Sequence, residues 1–375
     1  MIPIFDGHND VLLRLMLKQE ADGGVRSFLA GDGAGHIDLP RARAGGFAGG
    51  LLAVFVPPRE RHADLDSMTQ AAAYDVPLPV PAELTHAQAV ALQMIALLFR
   101  IVRRSEGAVR LCRDVGEIRA SMEVGALATV LHIEGAEPID RDFRMLEILY
   151  EAGLRSLGLV WSRSNIFGHG VPFRFPSTPD IGPGLTDEGR ALVKACNELG
   201  VMIDLSHLNE KGFWDVASLS AAPLVATHSN VHALSPHSRN LTDRQLAAIR
   251  DSGGMVGLNF ATGFLRDDGR MHGDTPLDVM VRHTDYLIEH LGVEGVGFGS
   301  DFDGAKIPDE IGSVAGLPKL VEAYRAAGYD DPTLKKLCFD NWLGVLERSW
   351  RAGAVAADVP VEATASADAR QAEHT

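Results

Sequence analysis

Histidine and carboxylate residues follow several short, apolar segments of this chain. The first such segment leads into Asp6-Gly-His8-Asn-Asp10, and another runs through His132 to Glu134. Comparable residues follow three further apolar segments, in the sequences Ser206-His207, Thr227-His228 and Ser300-Asp301-Phe-Asp303. Imidazole and carboxylate groups are the ligands that bind zinc and similar divalent ions. The residue types therefore indicate a metal site, in which a bridging carboxylate could hold two ions about 3.5–4 Å apart and activate a water between them.

Each of these residues has a simpler interpretation when it is taken alone. His8 and Asp10 could form a turn that caps the first helix, and Asp301 and Asp303 could belong to an ordinary turn. A single histidine could be a hydrogen-bonded core residue. Glu134 differs, because a carboxylate at the end of an apolar strand needs a partner. The metal hypothesis rests on the recurrence of these residues at several strand ends.

The elements that must position these residues alternate between short β-rich segments and longer helical patterns, which is typical of parallel α/β proteins. One of the helical patterns begins after Thr186 and ends before Gly200. Eight strands are predicted: Ile2–Phe5, Leu51–Val56, Leu127–Ile133, Ser156–Val160, Val201–Leu205, Leu224–Thr227, Gly254–Asn259 and Val296–Gly299. They predict a (β/α)8 TIM-like barrel with insertions, whose strand ends form the catalytic face. An open doubly wound sheet is the alternative, but no GxGxxG follows the first strand.

The barrel is predicted to form a single catalytic domain of the metal-dependent hydrolase type over residues 1–350. Residues 57–83 contain a proline-rich stretch and separate the second and third predicted strands, so they are predicted to form an insertion or lid. Residues 351–375 are rich in small and polar residues and lack aromatic side chains. They are predicted to form a loosely ordered tail.

The composition limits the kinds of binding partner and the cellular compartment that are expected for this protein. The 375 residues carry a formal net charge of −15, which argues against a nucleic-acid backbone as partner. The three cysteines are far apart and form no disulfide framework, so they fit a reducing compartment. The N-terminal residues show no signal-peptide pattern. The apolar stretch 89–102 is interrupted by Gln93 and Arg100, so it is not expected to span a membrane. We therefore expect a soluble, cytoplasmic enzyme.

The motifs of this sequence, in their order along the chain, closely resemble those of the membrane (renal) dipeptidase family. Its members are zinc metallopeptidases of the amidohydrolase-like barrel group. The resemblance covers roughly residues 1 to 350. It rests on the motifs Asp6-Gly-His8-Asn-Asp10, His132-Ile-Glu134-Gly135, Ile203-Asp-Leu-Ser-His207, Thr227-His228-Ser229, Ser238-Arg239-Asn240 and Gly299-Ser-Asp301-Phe-Asp303-Gly304. Each motif is weak alone, but the set is specific because the motifs occur in the family's order.

The resemblance implies a pair of zinc ions and assigns their ligands. His8 and Asp10 would bind one zinc, Glu134 would bridge the pair, and His207 with His228 would bind the second. A hydroxide between the ions would attack the peptide carbonyl, because zinc lowers the pKa of bound water to about 7. Glu134 is therefore predicted to be a catalytic residue as well as a ligand.

The resemblance also implies a dipeptide substrate and the residues that act on it. Asp301 resembles the family's acid/base, which would pass a proton from the water to the leaving amine. Arg239 would bind the C-terminal carboxylate of the substrate through a two-pronged salt bridge, and Asn240 of the same motif is a further substrate-binding candidate. The family tolerates C-terminal D residues, and related enzymes suggest a homodimer.

One position departs from the family pattern. Many members have a histidine just after the fourth strand, where it is thought to support the oxyanion of the tetrahedral intermediate, but this chain has Trp161 there. His169 or Arg163 could replace that histidine, or the metal alone could stabilise the charge. We favour His169 as the substrate-binding replacement, because its flanking glycines would let the loop approach the site.

Three other functions remain open from the residues alone. The same metal pair could serve an amidohydrolase that acts on another carboxylate-bearing amide, ester or N-acyl amino acid. Glu134 and Asp301 could be the paired carboxylates of a glycoside hydrolase, which would leave the histidines without a role. The chain could also be a non-catalytic metal-binding protein, in which Asp301 would be dispensable.

Overall fold

Parallel strands form the centre of the protein, and a second, two-stranded sheet lies beside them. The structure is a computed structural model that describes residues 1–18, 20, 22–59 and 65–357. The described strands are β1 (Ile4–Asn9), β2 (Phe47–Phe55), β3 (Tyr74–Asp75), β4 (Val109–Leu111), β5 (Leu127–Glu134), β6 (Leu154–Gly158), β7 (Arg174–Phe175), β8 (Met202–Asp204), β9 (Val225–Ser229), β10 (Met255–Asn259) and β11 (Val296–Gly299).

Eight of these strands close into a barrel in the order β2-β1-β11-β10-β9-β8-β6-β5, with all neighbours parallel. Residues 49–55 of β2 pair with residues 128–134 of β5 and close the ring. The predicted (β/α)8 barrel is thereby confirmed, and each of the eight predicted strands overlaps a barrel strand. Strand β4 lies outside the ring and pairs with the start of β5.

Helices surround the barrel. The described helices are α1 (Val11–Leu17), α2 (Val25–Ala30), α3 (Leu39–Gly45), α4 (Leu65–Met68), α5 (Leu84–Arg104), α6 (Val115–Glu123), α7 (Arg144–Ala152), α8 (Asp187–Leu199), α9 (Glu210–Leu219), α10 (Asp243–Asp251), α11 (Thr262–Leu265), α12 (Leu277–Leu291), α13 (Leu317–Ala326), α14 (Asp331–Lys335) and α15 (Asn341–Ala357). Helix α8 begins and ends as predicted, because the Thr186 side chain accepts from the Gly189 N–H and Gly200 takes a left-handed conformation after its last turn.

Helix α5 is long and apolar enough to cross a membrane by length and composition. Its buried face includes Ala91, Met94, Leu98 and Ile101, which belong to the main hydrophobic core. The helix packs against α1, α2 and β2. A core helix of a globular protein passes the same length test, so the packing of α5 accounts for its apolar composition.

The predicted insertion, residues 57–83, is described except for residues 60–64. Its strand β3 pairs antiparallel with β7, and Tyr74 lies opposite Phe175. The Tyr74 hydroxyl donates to the Gly269 carbonyl over 2.6 Å, which connects this segment to the loop that precedes α12. At the other end of the chain, α15 continues to residue 357. The remainder of the predicted tail, residues 358–375, lies outside the described residues.

The indole of Trp342, on α15, fills the interior of the barrel beneath β1 and β11. It is fully buried, and its Nε1 donates to the Phe298 carbonyl over 2.8 Å. A Cβ atom added at Gly7 would lie 2.1 Å from this ring. Glycine at position 7 is therefore required by close packing, and α15 supplies a part of the hydrophobic core.

Candidate metal centre and cavity

Glu134, the last residue of β5, lies at the centre of the predicted metal ligands. Its Oε1 atom is 3.0 Å from Nε2 of His207, 3.5 Å from Nε2 of His228 and 3.8 Å from Nε2 of His8. Nε2 of His8 is 3.4 Å from Oδ2 of Asp10. The barrel thus brings all five predicted ligands together, although they come from four strand ends and the start of α1.

These side chains fit a divalent cation. Both ring nitrogens of His8 and Oδ1 of Asp10 are buried without a hydrogen-bond partner among the described residues. Buried polar atoms normally have partners, so this group of orphaned donor atoms indicates a missing ligand. Burial lowers the pKa of His207 and of His228 well below the ordinary value, which keeps both rings in the neutral form that binds metals.

The carboxylates also favour a cation at this position. Burial raises the pKa of Glu134 well above its ordinary value, and the nearby Asp10 and Asp301 raise it further. The charges of His8 and Arg239 oppose part of this rise in the pKa of Glu134, but ionised carboxylates in a buried cluster need further positive charge. A bound dication would supply that charge and reverse the shift.

Hydroxyl groups orient the two histidines that face Glu134. Nδ1 of His207 lies 2.8 Å from Oγ of Ser162, and Nδ1 of His228 lies 2.8 Å from Oγ1 of Thr227. These contacts turn both Nε2 atoms toward Glu134. Hydrogen bonds of this kind behind a ligating imidazole fix its orientation.

Asp301 lies two residues beyond the end of β11, and a carboxylate oxygen of Asp301 lies within 4.8 Å of donor atoms of His8 and Asp10. Its φ angle is 58°, and its N–H donates to the His8 carbonyl over 3.0 Å. The Asn259 amide donates to Oδ2 over 3.0 Å. Burial raises the pKa of Asp301, and the charge of Asp10 adds to the rise. A carboxyl group with a raised pKa is suited to accept and release a proton.

Arg239 is buried beside the metal centre. Its Nη2 donates to the His228 carbonyl over 3.1 Å, and its guanidinium lies 5.3 Å from the ring centroid of Phe264. Nε has no hydrogen-bond partner among the described residues. Burial lowers the pKa of Arg239 to about 10, so the group remains cationic at neutral pH. The neighbouring Asn240 donates to the Ser235 and Phe264 carbonyls, which holds the loop in place.

A cavity of about 520 Å³ opens over these residues. Its lining includes residues of the metal centre and Asp301, several aromatic side chains, and further charged or polar side chains. Beyond the metal centre, the cavity is lined by Phe55, Trp161, Phe173, Phe264, Arg14, His36, Asp303 and Lys306, among others. Its volume is within the range of small-molecule sites.

Arg163 and His169 are the two candidates to replace the histidine that many family members have after the fourth predicted strand, which is β6 in the structure. Neither lies among the metal ligands. Arg163 is buried in an ion pair with Glu137 at 3.0 Å and donates to the Val56 carbonyl over 2.9 Å. The ring of His169 lies against Ser164, 3.1 Å from its Oγ, and is not among the residues that line the cavity. Trp161 does line the cavity, with its ring 5.9 Å from that of His207.

Several residues whose role was not predicted from the sequence also support the site. Ser162, Thr227 and Asn259 support His207, His228 and Asp301 through side-chain hydrogen bonds. Their proximity to the strand ends was visible in the sequence, but hydroxyl and amide residues are common there. Asp204, at the end of β8, accepts a hydrogen bond from Thr227. Its position in an apolar strand could have identified it as a residue of the site, because a buried carboxylate needs a partner.

Comparison with known proteins agrees with this geometry. The family described as Membrane dipeptidase (Peptidase family M19) matches residues 1–356. An uncharacterised protein in the pqqA 5' region of Klebsiella pneumoniae is 53% identical over 259 residues, which cover 69% of this chain and 96% of that protein. Dipeptidase verJ of Clonostachys rogersoniana is 27% identical over 356 residues, covering 92% of this chain and 84% of verJ.

Among solved structures, a metallopeptidase from Rhodobacter sphaeroides, liganded with a phosphinate mimic of the dipeptide L-Ala-D-Ala, is 54% identical in sequence. The two structures superpose with a TM-score of 0.91 over 93% of this chain and 99% of the other. The family match spans every strand of the barrel and every residue of the candidate metal centre. The chain belongs to the membrane dipeptidase family.

Proposed function

We propose that this protein hydrolyses dipeptides with a free C-terminal carboxylate, using two zinc ions. The observation that carries the proposal is the convergence of three imidazole Nε2 atoms, from His8, His207 and His228, on one Glu134 oxygen. Mixed nitrogen and carboxylate donors are typical of catalytic zinc sites. When bound, the ions would act as Lewis acids toward the substrate carbonyl and lower the pKa of a water to about 7.

Asp301 would move the proton in this reaction. It faces the cavity beside Asp10 and is held by the Asn259 amide at 3.0 Å. Its carboxylate would accept a proton from the attacking water and deliver it to the amine that leaves.

Arg239 would recognise the C-terminal carboxylate of the substrate. The side chain is a buried cation with an unpartnered Nε, which is a favourable donor for an anionic group. Its guanidinium lies 5.3 Å from the ring centroid of Phe264, which lines the cavity, so the substrate carboxylate would be bound close to that ring. Anchoring this end would hold the scissile carbonyl over the metal centre.

We further propose that the C-terminal residue can have the D configuration. This is supported by the similar Rhodobacter sphaeroides metallopeptidase, whose bound phosphinate mimics L-Ala-D-Ala. The proposal concerns the stereochemistry of one residue and is independent of the metal assignment.

The test is a turnover screen of matched L-Xaa-L-Xaa and L-Xaa-D-Xaa dipeptides with zinc and with a chelator. We expect cleavage of both series in zinc and none after chelation. N-acetyl amino acids serve as the comparison set, because the alternative amidohydrolase activity would cleave them in preference to dipeptides. Absence of dipeptide cleavage by the zinc-loaded protein would refute the proposed function, and activity that survives chelation would refute its metal dependence.

A further inference from the structure

His228 is connected to a buried carboxylate, Asp204, through the hydroxyl of Thr227. Oγ1 of Thr227 donates to Oδ2 of Asp204 over 2.6 Å and lies 2.8 Å from Nδ1 of His228. The direct separation between Nδ1 and Oδ2 is 3.9 Å, which is too long for a hydrogen bond. The Thr227 hydroxyl therefore connects the carboxylate to the imidazole ring, and we call this chain of hydrogen bonds the relay. All three side chains are buried in the barrel interior.

The direction of each hydrogen bond in this relay follows from counting protons. A threonine hydroxyl has one proton, and here it points to the Asp204 carboxylate, which can only accept. The hydroxyl oxygen must then accept from His228. Nδ1 of His228 therefore carries the ring proton, and Nε2 keeps the lone pair that faces Glu134 at 3.5 Å.

The Asp204 carboxylate is itself held in one orientation. Its Oδ1 accepts the backbone N–H groups of Ser206 at 2.9 Å and Thr227 at 2.8 Å. Oδ2 must therefore face the hydroxyl. Nε2 of His132 is 3.7 Å from the same Oδ2 and makes no hydrogen bond to it.

We propose that Asp204 and Thr227 are positioning residues that fix the Nδ1–H tautomer of His228 and so prepare its Nε2 as a metal donor. The inference rests on the proposed metal site. His207 has a simpler support, because the Ser162 hydroxyl behind it makes no hydrogen bond to a carboxylate among the described residues. The two histidines that face Glu134 are thus supported in different ways.

Asp204→Asn tests the direction of the relay. The two backbone N–H groups require the amide oxygen at the Oδ1 position, which places the NH2 group against Thr227. The amide then donates to the hydroxyl, whose own proton turns toward Nδ1 of His228. The ring proton is displaced to Nε2, the nitrogen that should bind the metal. We expect the zinc Kd to rise by about 10–100-fold, as for other residues behind metal ligands.

Thr227→Val removes the hydroxyl at nearly constant volume and should raise the zinc Kd by about 10–100-fold. Thr227→Ser keeps the hydroxyl and should restore binding to within about threefold of the original protein. Thr129→Val is the matched control. It makes the same change at a buried residue of β5 whose hydroxyl donates to the Arg110 carbonyl, over 2.9 Å, rather than to the relay.

The zinc Kd is measured on the full chain by competition with a chromophoric chelator. In parallel, ¹⁵N NMR of the histidine-labelled, metal-free protein should show the Nδ1–H tautomer of His228, which persists in Thr227→Ser and is no longer fixed in Thr227→Val. Unchanged Kd values for Thr227→Val and Asp204→Asn, or an equal loss in Thr129→Val, would overturn the relay. If Asp204→Asn does not fold, the three threonine variants decide the question. Failure of the unaltered chain to bind zinc would instead refute the proposed metal site.

Discussion

The Nε2 atoms of His207 and His228 lie 3.1 Å apart, and both face the same oxygen of Glu134. Two neutral imidazoles gain little from this approach unless a cation lies between them and the carboxylate. Metal should therefore stabilise the folded protein by binding the native state alone, by about 2.7 kcal/mol when free zinc is 100 times its Kd. Thermal unfolding with zinc and with chelator measures this. An equal Tm in both conditions would argue against the metal centre.

Asp301→Asn should abolish proton transfer while it retains the shape of the side chain. We expect kcat to fall by about 10²–10⁴-fold, the usual contribution of a general acid–base. Elemental analysis of the purified variant provides the control, because zinc content should be unchanged if Asp301 acts on the proton rather than on the metal. A fall in activity that matches a loss of zinc would assign Asp301 to metal binding.

Arg239→Met should reduce kcat/KM for dipeptides by about 10²-fold, because the buried cation would no longer meet the substrate carboxylate. The control is the same dipeptide with a C-terminal amide, which has no carboxylate to recognise. The variant and the original protein should cleave that amide at similar, low rates. An equal loss on both substrates would show that Arg239 supports the loop instead of the substrate.

Glu137 and Arg163 form a buried ion pair with a separation of 3.0 Å. Removing one partner leaves an uncompensated charge, so Glu137→Leu or Arg163→Met alone should lower the free energy of unfolding by about 3–5 kcal/mol. The double variant should lose less than the sum of the two. Urea unfolding in the presence of chelator gives the coupling free energy, and simple additivity would contradict the pairing.

His283 should make stability depend on pH. Burial lowers the pKa of His283 from its ordinary 6.5 to about 4. Between these values the unfolded chain binds a proton that the folded chain does not, so stability falls as pH decreases from 6.5 to 4. The loss attributable to this group is about 3 kcal/mol. His283→Gln should retain the hydrogen bonds to Leu265 and Val231 and flatten the decline in urea-unfolding free energy; an unchanged slope would refute the assignment.

The barrel strands were predictable because their apolar composition is continuous, but the limits of β1 were not. The predicted strand stopped at Phe5, whereas β1 extends from Ile4 to Asn9. The additional residues include His8, which belongs to the metal centre, and Asp6, which is buried and accepts hydrogen bonds from Ser300. Hydrophobic patterning ends where the functional residues begin, although the backbone continues as a strand.

The site was predictable to the extent that its residues lie at or just beyond the carboxyl ends of strands. The convergence of His8, Glu134 and His228 could be anticipated from barrel geometry, since parallel strand ends meet at one face. The hydrogen bonds of Thr227 and the burial of Arg163 against Glu137 depend on how the loops fold over that face. Sequence spacing carries no information about those contacts.

The ring of Trp342 beneath Gly7 connects the two ends of the folded chain. His8, one residue beyond that glycine, is synthesised early, yet a side chain that packs against its strand comes from α15, more than 330 residues later. During translation the barrel therefore lacks part of its interior until α15 has emerged from the ribosome. If the proposed metal site forms as described, metal binding should follow the synthesis of α15, because a nascent chain that lacks this helix would carry the ligands without the packing that supports them.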